Sequence, residues 1–120
     1  MNGIVDADGR ALVEVVVRPS PNGKGRALSV WIDTGFTGEL VVPSSIIDEL
    51  DLKQSAIVNA VLADGSAVGM QTHTCYIEWF GKMQRLEAVA NQRAYPLLGV
   101  GLLLDRELRV DYRTRVVSIG

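Results

Sequence analysis

Residues Val30 to Pro43 read VWIDTGFTGELVVP, and a single acidic side chain, Asp33, breaks an apolar run just before Thr34-Gly35. Taking a carboxylate out of water is costly unless it is paired or hydrogen-bonded, so Asp33 needs a reason to be there. The segment leading into it, RALSVWID, has the two-residue period of a strand. Leu28, Val30 and Ile32 fall on one face, and Ala27, Ser29, Trp31 and Asp33 on the other. Asp33 therefore stands where a strand ends. A tight turn through Gly35 would let backbone N–H groups approach the carboxylate, leaving it placed to bind or activate water.

Outward from this stretch, the same period dominates and predicts a mostly β fold. IVDADGRALVEVVVR reads as a hairpin about Asp8-Gly9, and PSPNGKG as a looser turn that cannot sustain a ladder. SSIIDELDL predicts a short helix, with Ser45 and Asp48 imitating a capping box and Ile46, Ile47 and Leu50 forming an apolar stripe. SAIVNAVLADGSAVGMQTHTCYIEWFG is a long hairpin with Asp64-Gly65 at its tip and small residues around it. QRLEAVAN adds a strand, PLLGVGLLL ends in a short helix after Gly99, and ELRVDYRTRVVSIG closes as a last hairpin. With 120 residues, 48% of them hydrophobic, and no linker or repeat, one domain over residues 1–120 is expected.

Composition narrows the function. The formal net charge is −2 and Lys and Arg are scattered, so no basic stripe follows a phosphate backbone and nucleic acid is not an expected partner. MNGIVDADGR lacks the pattern of a signal peptide and the longest apolar runs are too short to span a bilayer; the expectation is a soluble cytoplasmic protein with no membrane partner. Cys75 and His73 are the only residues of their types, which excludes an intrachain disulfide, a four-thiolate zinc site and an HExxH site; no metal or organic cofactor is expected. His73 and Cys75 share a strand face, which admits a thiol–imidazole nucleophile, but such a pair needs a third orienting group and a lone Cys serves well as a small core residue. Trp31, Trp79, Phe80 and Tyr95 read as core or interface packing, and Asp48, Glu49 and Asp51 as a solvated helix face.

One carboxylate is a weak general base at neutral pH. Two forced together share a proton, so one can take a proton from water while the other gives one to a carbonyl oxygen. Asp-Thr-Gly occurs once, and Asp8-Gly9 and Asp64-Gly65 lack the threonine and lie on expected hairpin tips. The second carboxylate must come from another chain. A two-fold homodimer would supply it by bringing both copies of Asp33 face to face.

The ordered features, the apolar strand into Asp33-Thr34-Gly35 with Phe36-Thr37-Gly38 and ELVVP, then LADGS at 62–66, then PLLGVGLL at 96–103, then the terminal LRVDYRTRVVSIG, resemble the retropepsin-like aspartic proteases, in particular the small single-lobe prokaryotic type. The resemblance covers most of the chain and implies a single-lobe acid-protease β-barrel with one or two short helices. It implies that Asp33 is the catalytic carboxylate, that Thr34 makes cross-subunit hydrogen bonds, and that Gly35 leaves room for its N–H to reach the carboxylate. The hairpin at Ala63, Asp64, Gly65 and Ser66 would be the flap that closes over a bound peptide or protein substrate. Departures are Phe36, where viral enzymes usually carry Ala or Ser, and Gly99-Val100-Gly101, where the viral pattern has polar and charged residues. The function so implied is peptide-bond hydrolysis by an Asp dyad across a homodimer. The alternative is a non-catalytic peptide-binding or dimerisation module with the same fold.

Overall fold

The alternation in RALSVWID is realised in the computed structural model, which describes residues 1–61, 64–92 and 95–120. In strand β3 (Arg26–Ile32), Leu28, Val30 and Ile32 are buried while Ala27, Ser29 and Trp31 face outward. β3 pairs antiparallel with β2 (Ala11–Val17), which in turn pairs with β1 (Asn2–Val5) across the Asp8-Gly9 turn. Gly9 takes φ +83° there, the left-handed conformation that glycine reaches without steric cost.

After Asp33 the chain loops to β4 (Leu40–Pro43) and then helix α1 (Ser44–Leu50). The expected capping box at Ser45 and Asp48 is not formed. Pro43 is the N-cap and no side chain caps the helix. Proline cannot donate a hydrogen bond to continue the ladder, and the chain turns into the helix with its cap two residues before the predicted one. Ile46 and Ile47 are buried as the stripe predicted, and the helix stops at Asp51 in the left-handed region, φ +52°.

The long hairpin is β5 (Gln54–Val61) with β6 (Ala67–Trp79), followed by β7 (Lys82–Asn91), the two-residue β8 (Leu97–Leu98), a 3-10 turn over Val100–Leu102, and the final pair β9 (Leu108–Asp111) and β10 (Val116–Ile119). The ten strands among the described residues form one sheet in the order β5-β6-β7-β4-β8-β3-β2-β1-β10-β9. The fold class is mostly β, as expected, with one short α-helix among the described residues, and the sheet they form is not a closed barrel, because its order is linear and β5 and β9 remain edges. It curls until the end of β2 meets β6 at a single bridge, Arg18 with Tyr76, made by two backbone bonds of 2.9 Å. Pro19 follows at once, and the pairing of β2 with β6 is confined to that one rung. The curl encloses a core that includes Val13, Val17, Val30, Leu40, Ile77, Leu86 and Leu98, each almost fully buried.

The site depends on β8. It lies parallel to β3 (Trp31 opposite Leu97, Ile32 opposite Leu98) and antiparallel to β4 (Leu40 opposite Leu98). The end of β3 and the start of β4 are thereby fixed on either side of one short strand, and the loop from 33 to 39 must arch over it.

Candidate active site

Asp33 is held at three points. Its N–H donates to the Leu98 carbonyl at 2.9 Å, its carbonyl accepts from Phe36 N–H at 3.1 Å, and its Oδ1 accepts from Gly35 N–H at 2.9 Å. Those bonds fix both the strand end and the direction of the carboxylate, which stays partly exposed. Gly35 suits the arrangement because an added Cβ would lie only 3.2 Å from Asp33 Oδ1. Thr34 is exposed, and its hydroxyl has no hydrogen-bond partner among the described residues. The sequence-predicted Asp33, Thr34 and Gly35 therefore form one turn, open to solvent on its outer side.

The far side of that loop is stitched to the segment after β8. Gly99 N–H donates to Glu39 carbonyl (2.9 Å), Val100 N–H to Phe36 carbonyl (2.8 Å) and Gly101 N–H to Gly38 carbonyl (2.9 Å). Gly99 is required by space. A Cβ there would lie 2.5 Å from Phe36 Cδ2 and 2.7 Å from the Phe36 carbonyl oxygen, and closer still to that of Gly38. The leucine-leucine-glycine run thus supports the Asp33 loop directly.

Two hollows flank the turn. One, of about 370 Å³, is lined by Trp31, Ile32, Asp33, Thr34 and Leu97, and Asp33 is its sole carboxylate among the described residues. Beside it Trp31 stands edge-on to Tyr95 (centroids 6.0 Å apart), and the Arg10 guanidinium lies 4.2 Å from the Tyr95 centroid. Asp6 holds Arg10 through Oδ2 at 2.7 Å. The Arg10 backbone N–H, and then its guanidinium, keep the Asp6 carboxyl below the usual carboxylate range. Trp79 packs in the core, whereas Trp31 is 40% exposed beside the hollow.

The other hollow is a cleft of about 580 Å³ beyond Gly35, between Phe36, Gly38 and Glu39 of the loop, Asn59, Met70 and Thr72 of the β5–β6 hairpin, and Glu87 and Val89 of β7. Glu39 Oε1 accepts from Glu87 N–H at 3.3 Å. Burial pushes the Glu39 carboxyl above its ordinary range, and the nearby charge of Glu87 pushes it the same way. Glu87 itself accepts from the hydroxyls of Ser55 and of Thr74 (3.3 Å), and the Arg85 guanidinium lies 3.8 Å away. Sequence reading missed both glutamates as cleft residues.

At the hairpin tip, Asp64 Oδ1 accepts from the Ser66 hydroxyl (2.6 Å) and backbone N–H (2.9 Å), which hold its carboxyl below the usual range. Gly65 takes φ +85°. Ala63 lies outside the described residues. Asp64, Gly65 and Ser66 form their own exposed turn, and no hydrogen bond joins them to the Asp33 turn among the described residues. His73 and Cys75 are buried side by side on the core face, but no hydrogen bond links them, and the Cys75 thiol is pushed up to about 12, chiefly by burial. Its thiolate is not available at neutral pH, which removes the thiol–imidazole reading. Among the described residues no three His, Cys, Asp or Glu side chains gather as metal ligands, and no helix is long and apolar enough to cross a membrane.

No family model matches the sequence, and no curated protein matches it. Two solved structures resemble the fold. A retropepsin-like aspartic protease from Rickettsia conorii superposes over 98% of this chain and 86% of its own with a TM-score of 0.64 at 16% identity. The EIAV protease in complex with the inhibitor HBY-793 superposes over 83% of this chain and 90% of its own with a TM-score of 0.56 at 18% identity. With both likenesses extending over more than four-fifths of either partner, and with the Asp33 turn braced by its neighbouring glycine segment, the chain has the retropepsin-like aspartic protease fold.

Proposed function

We propose that residues 1–120 form a single aspartic peptidase domain that works as a homodimer. The observation that carries this reading is the Asp33 turn: a carboxylate at a strand end, oriented by Gly35 N–H at 2.9 Å and left partly exposed above a hollow with no second carboxylate among its described residues. A two-fold axis beside the turn completes the pair from a second copy. The exposed Thr34 hydroxyl, unpartnered within the protomer among the described residues, is free to brace the two turns across the axis.

In the dimer two Asp33 carboxyls share one proton, because like charges at contact cannot both be ionised. The ionised one takes a proton from a water held between them as the water oxygen attacks the scissile carbonyl carbon. The protonated one donates its proton to the carbonyl oxygen, giving a neutral tetrahedral diol. The protonated carboxyl then gives its proton to the amide nitrogen while the other carboxylate takes one from a diol hydroxyl. The C–N bond breaks to leave a carboxylic acid and an amine, and the dyad again holds one proton. The hairpin tip at Asp64 to Ser66 closes over the extended peptide and excludes water.

The test is cleavage of a mixed peptide library, read by mass spectrometry from acid to neutral pH, with Asp33→Asn in parallel and sedimentation of both proteins. Cuts made only by the parent, from a protein that forms dimers, are the expected result. A parent that is folded and dimeric yet cuts nothing at any pH would move the function to peptide binding. A monomer at micromolar concentration, with no dimer on adding peptide, would contradict the mechanism.

A further inference from the structure

Glu39 and Glu87 are far apart in sequence and adjacent in space, because β4 and β7 run parallel with Leu40 opposite Ala88. Both line the 580 Å³ cleft that begins at Gly35, and the remaining walls include the apolar side chains of Phe36, Met70 and Val89. Such a cavity, apolar along its sides with carboxylates in its lining, matches a long side chain with an aliphatic stem and a cationic tip. A divalent metal fits less well, since no third acidic, thiol or imidazole group joins the pair among the described residues. Glu39 forms no ion pair with a described cation, and Glu87 has only the mostly exposed Arg85 at 3.8 Å. Because burial already penalises the charge on Glu39, a counter-ion arriving with the ligand gains more there than at an open surface.

We propose that this cleft receives a lysine or arginine side chain of the substrate, its stem against Phe36, Met70 and Val89 and its cation between Glu39 and Glu87, so that the peptide is cut at a fixed distance from a basic residue. The assignment rests on the peptidase reading of Asp33 for where the peptide runs. Its direct consequence is a positional charge preference that requires both glutamates.

The experiment separates the two readings by measuring binding and cleavage independently. Asp33→Asn protein is titrated with fluorescent octapeptide libraries in which one position at a time is fixed as arginine or as citrulline, its neutral near-isostere. At one position arginine should bind about tenfold tighter, as expected for a charge-assisted pair that is partly shielded from water. Adding Glu39→Gln and Glu87→Gln should bring that ratio close to one. An arginine-to-citrulline ratio near one at every position, or a preference that survives both Gln substitutions, overturns the assignment. If the doubly substituted protein does not fold, the same comparison on Glu87→Gln alone decides, with a reduced ratio expected and an unchanged one refuting. Preserved arginine preference with no cleavage by the parent would refute only the peptidase reading; cleavage without the preference would refute only this one.

Discussion

Gly99→Ala tests whether the segment after β8 holds the Asp33 turn in place. Non-bonded carbon atoms are most favourable about 3.5–4.0 Å apart, so a methyl carbon lying 2.5 Å from Phe36 Cδ2 overlaps it by about 1 Å. The Phe36 and Gly38 carbonyl oxygens it also meets are backbone, fixed by bonds from Val100 and Gly101 N–H, and cannot swing away as a side-chain end could. Overpacking of this kind costs about 1–3 kcal/mol, and weakening one or two of the three stitching bonds adds about 1 kcal/mol, giving about 2–4 kcal/mol together. With a urea slope near 1.5 kcal/mol per molar, the unfolding midpoint should fall by about 1–3 M. Gly69→Ala is the matched control. Its Cβ would meet only Ile57 Cγ2 at 3.4 Å, so its stability should stay within about 0.5 kcal/mol of the parent, about 0.3 M in midpoint. Because Asp33 N–H is bonded to Leu98, the residue before Gly99, any peptide turnover by the Ala variant should fall even where it is still folded. A Gly99→Ala midpoint indistinguishable from that of Gly69→Ala would refute the reasoning.

Other outcomes follow from the same geometry. Leu98→Ala, at a fully buried residue between Ile32 and Leu40, should cost about 2–5 kcal/mol in urea unfolding; a loss under about 1 kcal/mol would mean that β8 does not anchor the core. Cys75 should resist iodoacetamide in the native protein and react on unfolding. Its thiol is raised from the ordinary 9.0 to about 12, so the stability owed to the neutral thiol is complete below pH 9 and lost as pH rises toward 12. Rapid native labelling would contradict this. Glu39 is also raised, by burial first and then by Glu87, so the stability owed to its protonated form is full below the ordinary carboxylate range and lost as pH rises through the raised value. Glu39→Gln should therefore gain stability over the parent at pH 7 relative to pH 4, and a difference independent of pH would sink that account.

The sequence showed the strand into Asp33 because alternation is a local property: side chains two apart share a face whatever the rest of the chain does. The turns at Asp8-Gly9 and Asp64-Gly65 were legible for the same reason, since a left-handed glycine is demanded within two or three residues of the turn itself. Local signals failed where a partner decided the outcome. Ser45 and Asp48 have the spacing of a capping box, yet Pro43 enters the helix directly from a strand paired to Asn91, and the register of that pairing is not written near Ser45. Barrel closure failed similarly, because it depends on whether β2 continues along β6, and their pairing is confined to the single Arg18–Tyr76 bridge.

The two cleft glutamates show the limit most clearly. Glu39 reads as the polar start of ELVVP, and Glu87 as the outward-facing position of an ordinary alternating strand. Neither is unusual alone, and they meet only because β4 and β7 run parallel; a one-residue slip would send each to the opposite face from the other. The juxtaposition works against folding, since burial and mutual repulsion both act on Glu39. Placing two like charges where stability would favour a neutral pair is a cost that a cationic ligand can offset and that packing alone does not explain. The same register that makes the pair invisible in the sequence therefore makes it the place where binding and stability should trade against each other. A variant that gains stability there should lose its preference for arginine over citrulline.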